Sequence, residues 1–359
     1  MGKDKHKQKK DQKENKDKKD KKYLELPRVS ICTPTFNRRP FFKGLIESIM
    51  AQTYPKDKIE WIIVDDGTDK IGDLVSSIPF VKYIATEKMP LGRKRNFMHD
   101  QCSFKNDNDI IVYIDDDDYY PKERISHAVE KLTGCKALCA GSSEIHIWFN
   151  GINKMYRFGP YGPNHATAGT FAFKRELLKQ TSYEDDALLA EEKHFLKNYT
   201  IPFVQLDPLK TILVISHEQN TFDKRRLIHP DNKLCNESAL RPKDFMKQDM
   251  LNFYIQEIPT LLSTYEPGNI SNKPEVLADI AKKDKERQAM QQNQNQKPQV
   301  SVKNPDGSTR ILQTHEIIQA LQNVTNELMT IKKQNEHLES KVAMMEQIIE
   351  NNSLGGFFK

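Results

Sequence analysis

The chain has 359 residues, 29% of them charged, and a formal net charge of +5. That length allows one core of roughly two hundred residues with appendages, and so small a net charge, with acids interspersed among the lysines, argues against nucleic acid as a partner. No apolar run nears the ~20 residues of a membrane span and no signal peptide opens the chain, so the expectation is a protein of the cytoplasm, or of an infected host's cytoplasm or a virion, without a transmembrane anchor.

Residues 1–26 read as a disordered basic tail, since no apolar residue falls between Met1 and Tyr23. The run RVSICTPTFNRR, from Arg28, starts a strand expected to break at Pro34 ahead of a polar loop. In FFKGLIESIMAQTY, Phe42, Leu45, Ile46, Ile49 and Met50 recur at helical spacing. WIIVDDGT then supplies a second strand, Trp61 to Val64, with Asp65, Asp66 and Gly67 at its exit. These acids face a ligand, or they form an Asx turn closed by Gly67. A β-α-β unit in this order predicts a largely parallel α/β sheet.

A further short, β-branched run, Ile110 to Ile114, ends in four consecutive aspartates, Asp115 to Asp118. The C-terminal ends of strands in open sheets are where ligands bind. Such a concentration of negative charge needs a counter-charge. Carboxylates are hard oxygen ligands that suit Mg²⁺ or Mn²⁺, and such an ion can hold a departing diphosphate. A solvated acidic turn is the plainer alternative. Strand alternation sends Asp115 and Asp117 to the same side, as a shared metal requires. Pro121 opens the next helix, whose buried face is Ile125, Ala128, Val129 and Leu132.

Beyond it, Trp148, Phe149, Tyr156, Phe158 and Tyr161 offer flat faces for a sugar or peptide acceptor, or belong to the core. The acids Glu184, Asp185, Asp186, Glu191 and Glu192 precede an apolar strand, Ile212 to Ser216, followed by His217. Cys32, Cys102, Cys135, Cys139 and Cys235 show no metal-ligand spacing and fit a reducing compartment. Residues 227–264 read as a helical extension, and 265–310 as a linker, partly helical or disordered. In 311–352, Ile317, Leu321, Val324, Leu328, Ile331, Asn335, Leu338, Val342, Met345 and Ile349 alternate at spacings of four and three. This heptad pattern predicts a coiled coil, and Asn335 at a core position favours a parallel homodimer. A lone amphipathic helix packed on the domain is the alternative. Gly355 and Gly356 end the helix within a flexible tail, residues 353–359.

Six stretches, in order across about residues 27–226, resemble family 2 glycosyltransferases of the GT-A fold: TPTFNR at Thr33, VDDG at Val64, LGRKRN at Leu91, the aspartates at Asp115, AEEKHF at Ala190 and SHEQNT at Ser216. The resemblance implies a GT-A nucleotide-sugar-binding domain over residues 27–226. It implies that Pro34, Thr35 and Phe36 flank the base of a nucleotide, usually UDP-linked, while Asp66 accepts from the base's imide N–H and Asp65 positions the loop. Arg95 and Asn96 become the matching pair near the diphosphate, whereas Arg93 and Lys94 depart from the family's small residues and are expected to face solvent. The family's Asp-x-Asp-Asp pattern falls on Asp115, Asp117 and Asp118. Asp115, Asp117 and His217 are the implied metal ligands, and Asp115 and Asp116 also join the donor-binding set, because related enzymes differ in which carboxylate touches the ion. Glu192 is the implied catalytic base, with Glu in place of the usual Asp. The expected reaction is inverting, metal-assisted transfer of a sugar from its nucleotide to a hydroxyl of a glycan or protein. The competing reading is a catalytically degenerate sugar-nucleotide-binding scaffold tethered by its coiled coil.

Overall fold

The computed structural model describes residues 26–189, 191–295, 301–303 and 307–354, so the basic tail up to residue 25 and the glycine stop at Gly355 and Gly356 lie outside the described residues. The chain divides into two compact units, Met1–Ala281 and Lys282–Lys359.

The first unit opens with strand β1 (Val29–Thr35), helix α1 (Phe42–Met50), β2 (Ile59–Asp65), β3 (Val81–Ala85), helix α2 (Leu91–Gln101) and β4 (Ile110–Tyr113). Helix α3 (Arg124–Thr133) leads to β5 (Cys139–Gly141), the hairpin β6 (Ile145–Phe149) and β7 (Lys154–Phe158), and β8 (Ala172–Lys174). The short helix α4 (Glu192–Phe195), β9 (Phe203–Gln205), β10 (Leu213–Ser216) and β11 (Cys235–Glu237) follow.

Seven strands form the main sheet in the order β3-β2-β1-β4-β8-β5-β9. Its β1–β2, β2–β3, β1–β4 and β5–β9 pairs are parallel, as the β-α-β reading requires. The sheet is nevertheless mixed, because β8 lies antiparallel between β4 and β5. A parallel neighbour needs a crossover, usually helical, whereas β8 returns from the β6–β7 hairpin excursion and enters in the opposite direction. From β1 the chain steps outward to β2 and β3, then returns to the other flank as β4. This reversal makes the carboxyl ends of β1 and β4 a topological switch point, the place where open α/β sheets leave a crevice.

The predicted break at Pro34 is corrected, for β1 runs through Pro34 to Thr35, pairing with Val64 and Asp65. Pro34 lies past the last β1–β4 pair, Cys32 with Tyr113, on a stretch bordered on one side only, where a residue without an N–H is tolerated. On α1, Phe42, Leu45 and Ile49 are fully buried as the spacing requires, but Met50, at the last turn, is 51% exposed.

A second sheet, β10-β6-β7-β11, stands beside the first. Trp148, Phe149 and Phe158 are buried in its packing, so of the aromatics considered for an acceptor platform only Tyr161 is well exposed and Tyr156 partly so. The expected helical extension begins irregularly and includes β11. It then forms α5 (Gln248–Asn252), a π turn (Phe253–Glu257) and α6 (Ile258–Leu262). Phe253, Tyr254, Ile258 and Leu262 pack with Phe41, Trp148, Leu213 and Ile215, each full burial contributing about 1.5–3 kcal/mol.

The stretch expected as a partly helical or disordered linker divides between the two units. Residues 265–281 belong to the first unit. Helix α7 (Pro274–Asn295) begins there, the hairpin β12 (Ser301–Lys303) and β13 (Thr309–Ile311) follows, and helix α8 spans Thr314–Leu354. No helix among the described residues is long and apolar enough to cross a membrane.

Candidate functional site

At the switch point a cavity of about 220 Å³ is lined by Pro34, Thr35 and Phe36 from β1's end, Asp66 after β2, Lys94 and Arg95 of α2, and Asp115, Asp116 and Asp117 after β4. Local bonds hold these ends in place. The Thr33 hydroxyl donates to Ile114 O at 2.7 Å and accepts from Trp61 Nε1 at 2.9 Å, joining β1, β2 and β4 beneath the cavity. The buried Arg124 donates to Thr170 O at 2.7 Å and Phe171 O at 2.8 Å, while the Tyr120 hydroxyl accepts from the Asp115 N–H at 2.8 Å.

Asp65 and Asp66 divide their work. The fully buried Asp65 accepts from the N–H groups of Gly67 and Ile71, both at 3.0 Å, and from the Tyr83 hydroxyl at 2.8 Å. It shapes the loop and does not line the cavity. Gly67 has to be glycine, because a Cβ there would lie 2.5 Å from the backbone nitrogen of Asn37. Asp66 does line the cavity; its carboxylate accepts from the Met89 N–H at 3.0 Å and is ion-paired with Lys94. Lys94 is thus buried rather than solvent-facing, and only Arg93 is exposed. Helix α2 turns Lys94 inward with Arg95, and the Asp66 carboxylate compensates the burial of its charge.

Arg95 is buried over the Tyr113 ring, 4.4 Å from its centroid, and donates through Nε to Glu191 at 2.7 Å. Its Nη2 lies 3.8 Å from Asp115. Asn96 points elsewhere, donating to Tyr183 O at 2.9 Å and Asp185 at 2.8 Å, and ties α2 to the segment before α4 outside the cavity lining. Glu191 is buried beside Arg95, whereas Glu192, the expected base, is half-buried at the first position of α4 and is not among the cavity-lining residues.

The aspartates separate because β4 ends at Tyr113, before strand alternation can apply to them. Asp115 turns toward Arg95 and Asp117 toward His217, so the structure does not bring Asp115, Asp117 and His217 together as expected. Among the described residues no group of three or more His, Cys, Asp or Glu is placed to hold a metal. Asp118 is buried and accepts from the Ile215 N–H at 2.8 Å, fastening the strand that carries His217. His217 Nε2 lies 3.1 Å from Asp117 Oδ2 and 2.8 Å from Asn220 Nδ2, and its ring packs against Phe41.

Burial pushes the His217 imidazole down to about 4, against the pull of Asp117, so the ring is neutral at neutral pH. Burial would raise Asp117, but the His217 hydrogen bond and the nearby Arg38 hold it below the usual carboxylate range. Burial and the Asp117 charge raise Asp116 to about 7. A neutral imidazole and an ionised carboxylate are the protonation states that a metal requires. Their 3.1 Å contact is a hydrogen bond, with Nδ1 accepting from the Gln219 N–H at 3.2 Å, and a bound ion would have to replace it. Mg²⁺-type ions commonly take only one or two protein ligands and complete their shell with phosphate and water. Asp117 and His217 are the pair that would hold such an ion.

Two contributors come from pairings distant in sequence. Arg38 is buried, donates to Gln219 O at 2.7 Å and Gly268 O at 3.3 Å, and places Nε 3.9 Å from Asp116 and 3.8 Å from Asp117. Lys273, Glu275 and Val276, from the expected linker, line the same cavity. Lys88 and Lys273 lie 4.9 and 5.0 Å from the centroid of the Phe36 ring.

Residues 30–185 match the family model Glycosyl transferase family 2. Among curated proteins, the chain is similar to the probable glycosyltransferase YdaM of Bacillus subtilis (strain 168), with 25% identity over 190 residues, covering 47% of this chain and 45% of that protein. It is also similar to the poly(ribitol-phosphate) beta-N-acetylglucosaminyltransferase TarS of Staphylococcus aureus (strain Mu50), with 27% identity over 107 residues, 28% of this chain and 18% of that one. The chain thus spans less than half the length of the curated relatives it matches. Among solved structures, S. aureus TarS 1-349 in complex with UDP-GlcNAc is 19% identical, covering 53% of this chain and 59% of that chain with a TM-score of 0.42. The mannosyltransferase PcManGT from Pyrobaculum calidifontis, in complex with GDP-Man and Mn²⁺, is 16% identical over 73% of this chain and 80% of that chain, with a TM-score of 0.42. Glu191, Glu192, His217 and Lys273 all lie beyond the segment matched by the family model.

Proposed function

We propose that this chain is an inverting glycosyltransferase that moves a sugar from a nucleoside-diphosphate sugar, UDP-linked, to a hydroxyl of a glycan or protein. The observation that carries this reading is the convergence, on one cavity at the switch point, of the Pro34–Phe36 strand end, Asp66 and the Asp115–Asp117 run. The base and ribose enter beside Phe36 and Asp66, and the diphosphate lies toward the aspartates. Asp117 and His217 would hold a Mn²⁺ or Mg²⁺ ion, which when bound supplies positive charge opposite the leaving diphosphate. Arg38, Lys94 and Arg95 add fixed positive charge around the cavity where negative charge develops. Glu192 takes the proton from the acceptor hydroxyl as it attacks the anomeric carbon, while Glu191 accepts from Arg95. We further assign α8 to a parallel homodimeric coiled coil.

The test is incubation of the purified protein with a panel of nucleotide sugars and Mn²⁺, following release of nucleoside diphosphate. At least one donor is expected to be consumed, and Asp117→Asn to suppress its consumption by about 10²-fold or more. Donor binding without consumption would make the protein a scaffold. If no donor is bound or hydrolysed and Asp117→Asn changes nothing, the transferase reading fails.

A further inference from the structure

After the last turn of α6 the chain from Tyr265 to Val276 forms a strap that reaches the cavity through Lys273, Glu275 and Val276. Gln219 Nε2 donates to Tyr265 O at 2.6 Å and Leu262 O at 3.3 Å, and Asn37 Nδ2 donates to Pro267 O at 2.8 Å. Arg38 donates to Gly268 O, and the Tyr265 hydroxyl donates to Asp69 at 2.8 Å. The contact is close: a Cβ at Gly268 would lie 2.0 Å from Gln219 Oε1 and 3.1 Å from Asn37 O. These anchors place Lys273 in the cavity wall.

The other cations of that wall already have acidic company. Lys94 is paired with Asp66, Arg95 with Glu191 at 2.7 Å and Lys88 with Glu275 at 2.8 Å, while Arg38 stands 3.8 Å from Asp117. Lys273 differs. Its Nζ donates to the Thr221 hydroxyl at 3.2 Å and lies over Phe36, and among the described residues no carboxylate stands within ion-pair distance of it. An ammonium has three N–H donors, and in a partly desolvated cavity the partner that best satisfies the remainder is an anion.

We propose that Lys273 is a binding residue for the diphosphate of a nucleoside diphosphate, so that the strap, which lies outside the segment matched by the family model, completes the donor site. This inference rests on the transferase reading and deepens it. With the diphosphate held between Lys273 and the aspartate loop, the base is brought to the Phe36 and Asp66 side of the cavity.

Calorimetric titration of the full chain with UDP, with uridine followed by ligand-observed NMR, tests it on wild type, Lys273→Met and Lys273→Arg. Lys273→Met should weaken UDP about 10- to 100-fold, the range for a hydrogen bond to a charged group, and leave uridine unchanged. Lys273→Arg should keep UDP affinity within a few-fold of wild type. Unchanged UDP binding by Lys273→Met overturns the inference while leaving the transferase reading intact. Equal losses for UDP and uridine, with a lowered melting temperature, would make Lys273 a peg of the strap and also overturn it. Inorganic pyrophosphate binding as tightly as UDP would reduce the site to a bare anion hole. A wild-type protein that binds no nucleoside diphosphate removes both readings together.

Discussion

Glu191 and Glu192 are adjacent carboxylates in different company, and substitution separates them. Glu192→Gln keeps shape and should lower transfer by roughly 10²- to 10⁴-fold with UDP affinity unchanged. Glu191→Gln instead loosens the buried Arg95 and should lower the melting temperature. Steady-state kinetics on both variants and on Asp185→Asn decide the assignment, which moves if either of the latter shows the Glu192→Gln pattern. Lys273 gives a pH signature. Burial, then the charge of Arg38, lowers it to about 8, with Lys94 also lowering it and Asp116 and Asp117 raising it. The folded protein therefore sheds this proton before the unfolded chain does, and Lys273 loses its charge as pH rises through about 8. UDP affinity should fall more steeply over that window in wild type than in Lys273→Met, as titrations between about pH 7 and 9 will show. Apolar runs ending in acids are local patterns, so Asp65, Asp66 and the Asp115–Asp118 run can be read directly from the sequence. Lys94's inward turn, Arg38's bonds to Gln219 and Gly268, and Lys273's place beside Thr221 depend on contacts that only the folded chain makes.

Among the elements, the strap gives the sharpest expectation. A chain ending after Ala281 keeps Lys273 and its anchors and should bind UDP as the full chain does. One ending after Leu261 removes the carbonyl partners of Asn37 and of the Gln219 amide, and the Gly268 partner of Arg38, which keeps its bond to Gln219 O; it should lose UDP binding and some stability, about 0.5–1.5 kcal/mol for each hydrogen bond. Titration and thermal melting of the two truncations check this, and equal UDP affinity would show that the strap is dispensable. The β-α-β start of the sheet follows from hydrophobic periodicity, and the parallel pairs bear it out. The antiparallel β8 does not follow, because three residues, Ala172–Lys174, carry too little pattern to announce a direction. The strap resembles a linker for a similar reason: side chains elsewhere bind its backbone carbonyls, and a carbonyl has no letter in the sequence.

At the scale of the whole molecule, α8 exposes a row of large apolar side chains. Leu321, Leu328, Leu338 and Met345 are each more than half exposed, with Val324, Ile331 and Val342 beside them. The side chain of Ile349, the last position of the expected heptad, lies outside the described residues. From Ile317 to Ile349 such a seam is roughly 50 Å long. Light scattering should find a dimer for the full chain and a monomer once everything after Thr309 is removed, with Asn335→Leu broadening the oligomer distribution. A monomeric full chain at micromolar concentration, or a dimer that survives truncation, would refute the assignment. The strap also sets a clock on biosynthesis. Thr221 and Lys273 meet in one wall although the ribosome makes them 52 residues apart. At about 5–20 residues per second, roughly 3–10 s of synthesis separate these two wall residues. A chain released in that interval carries Thr221 without the ammonium that meets it in the wall.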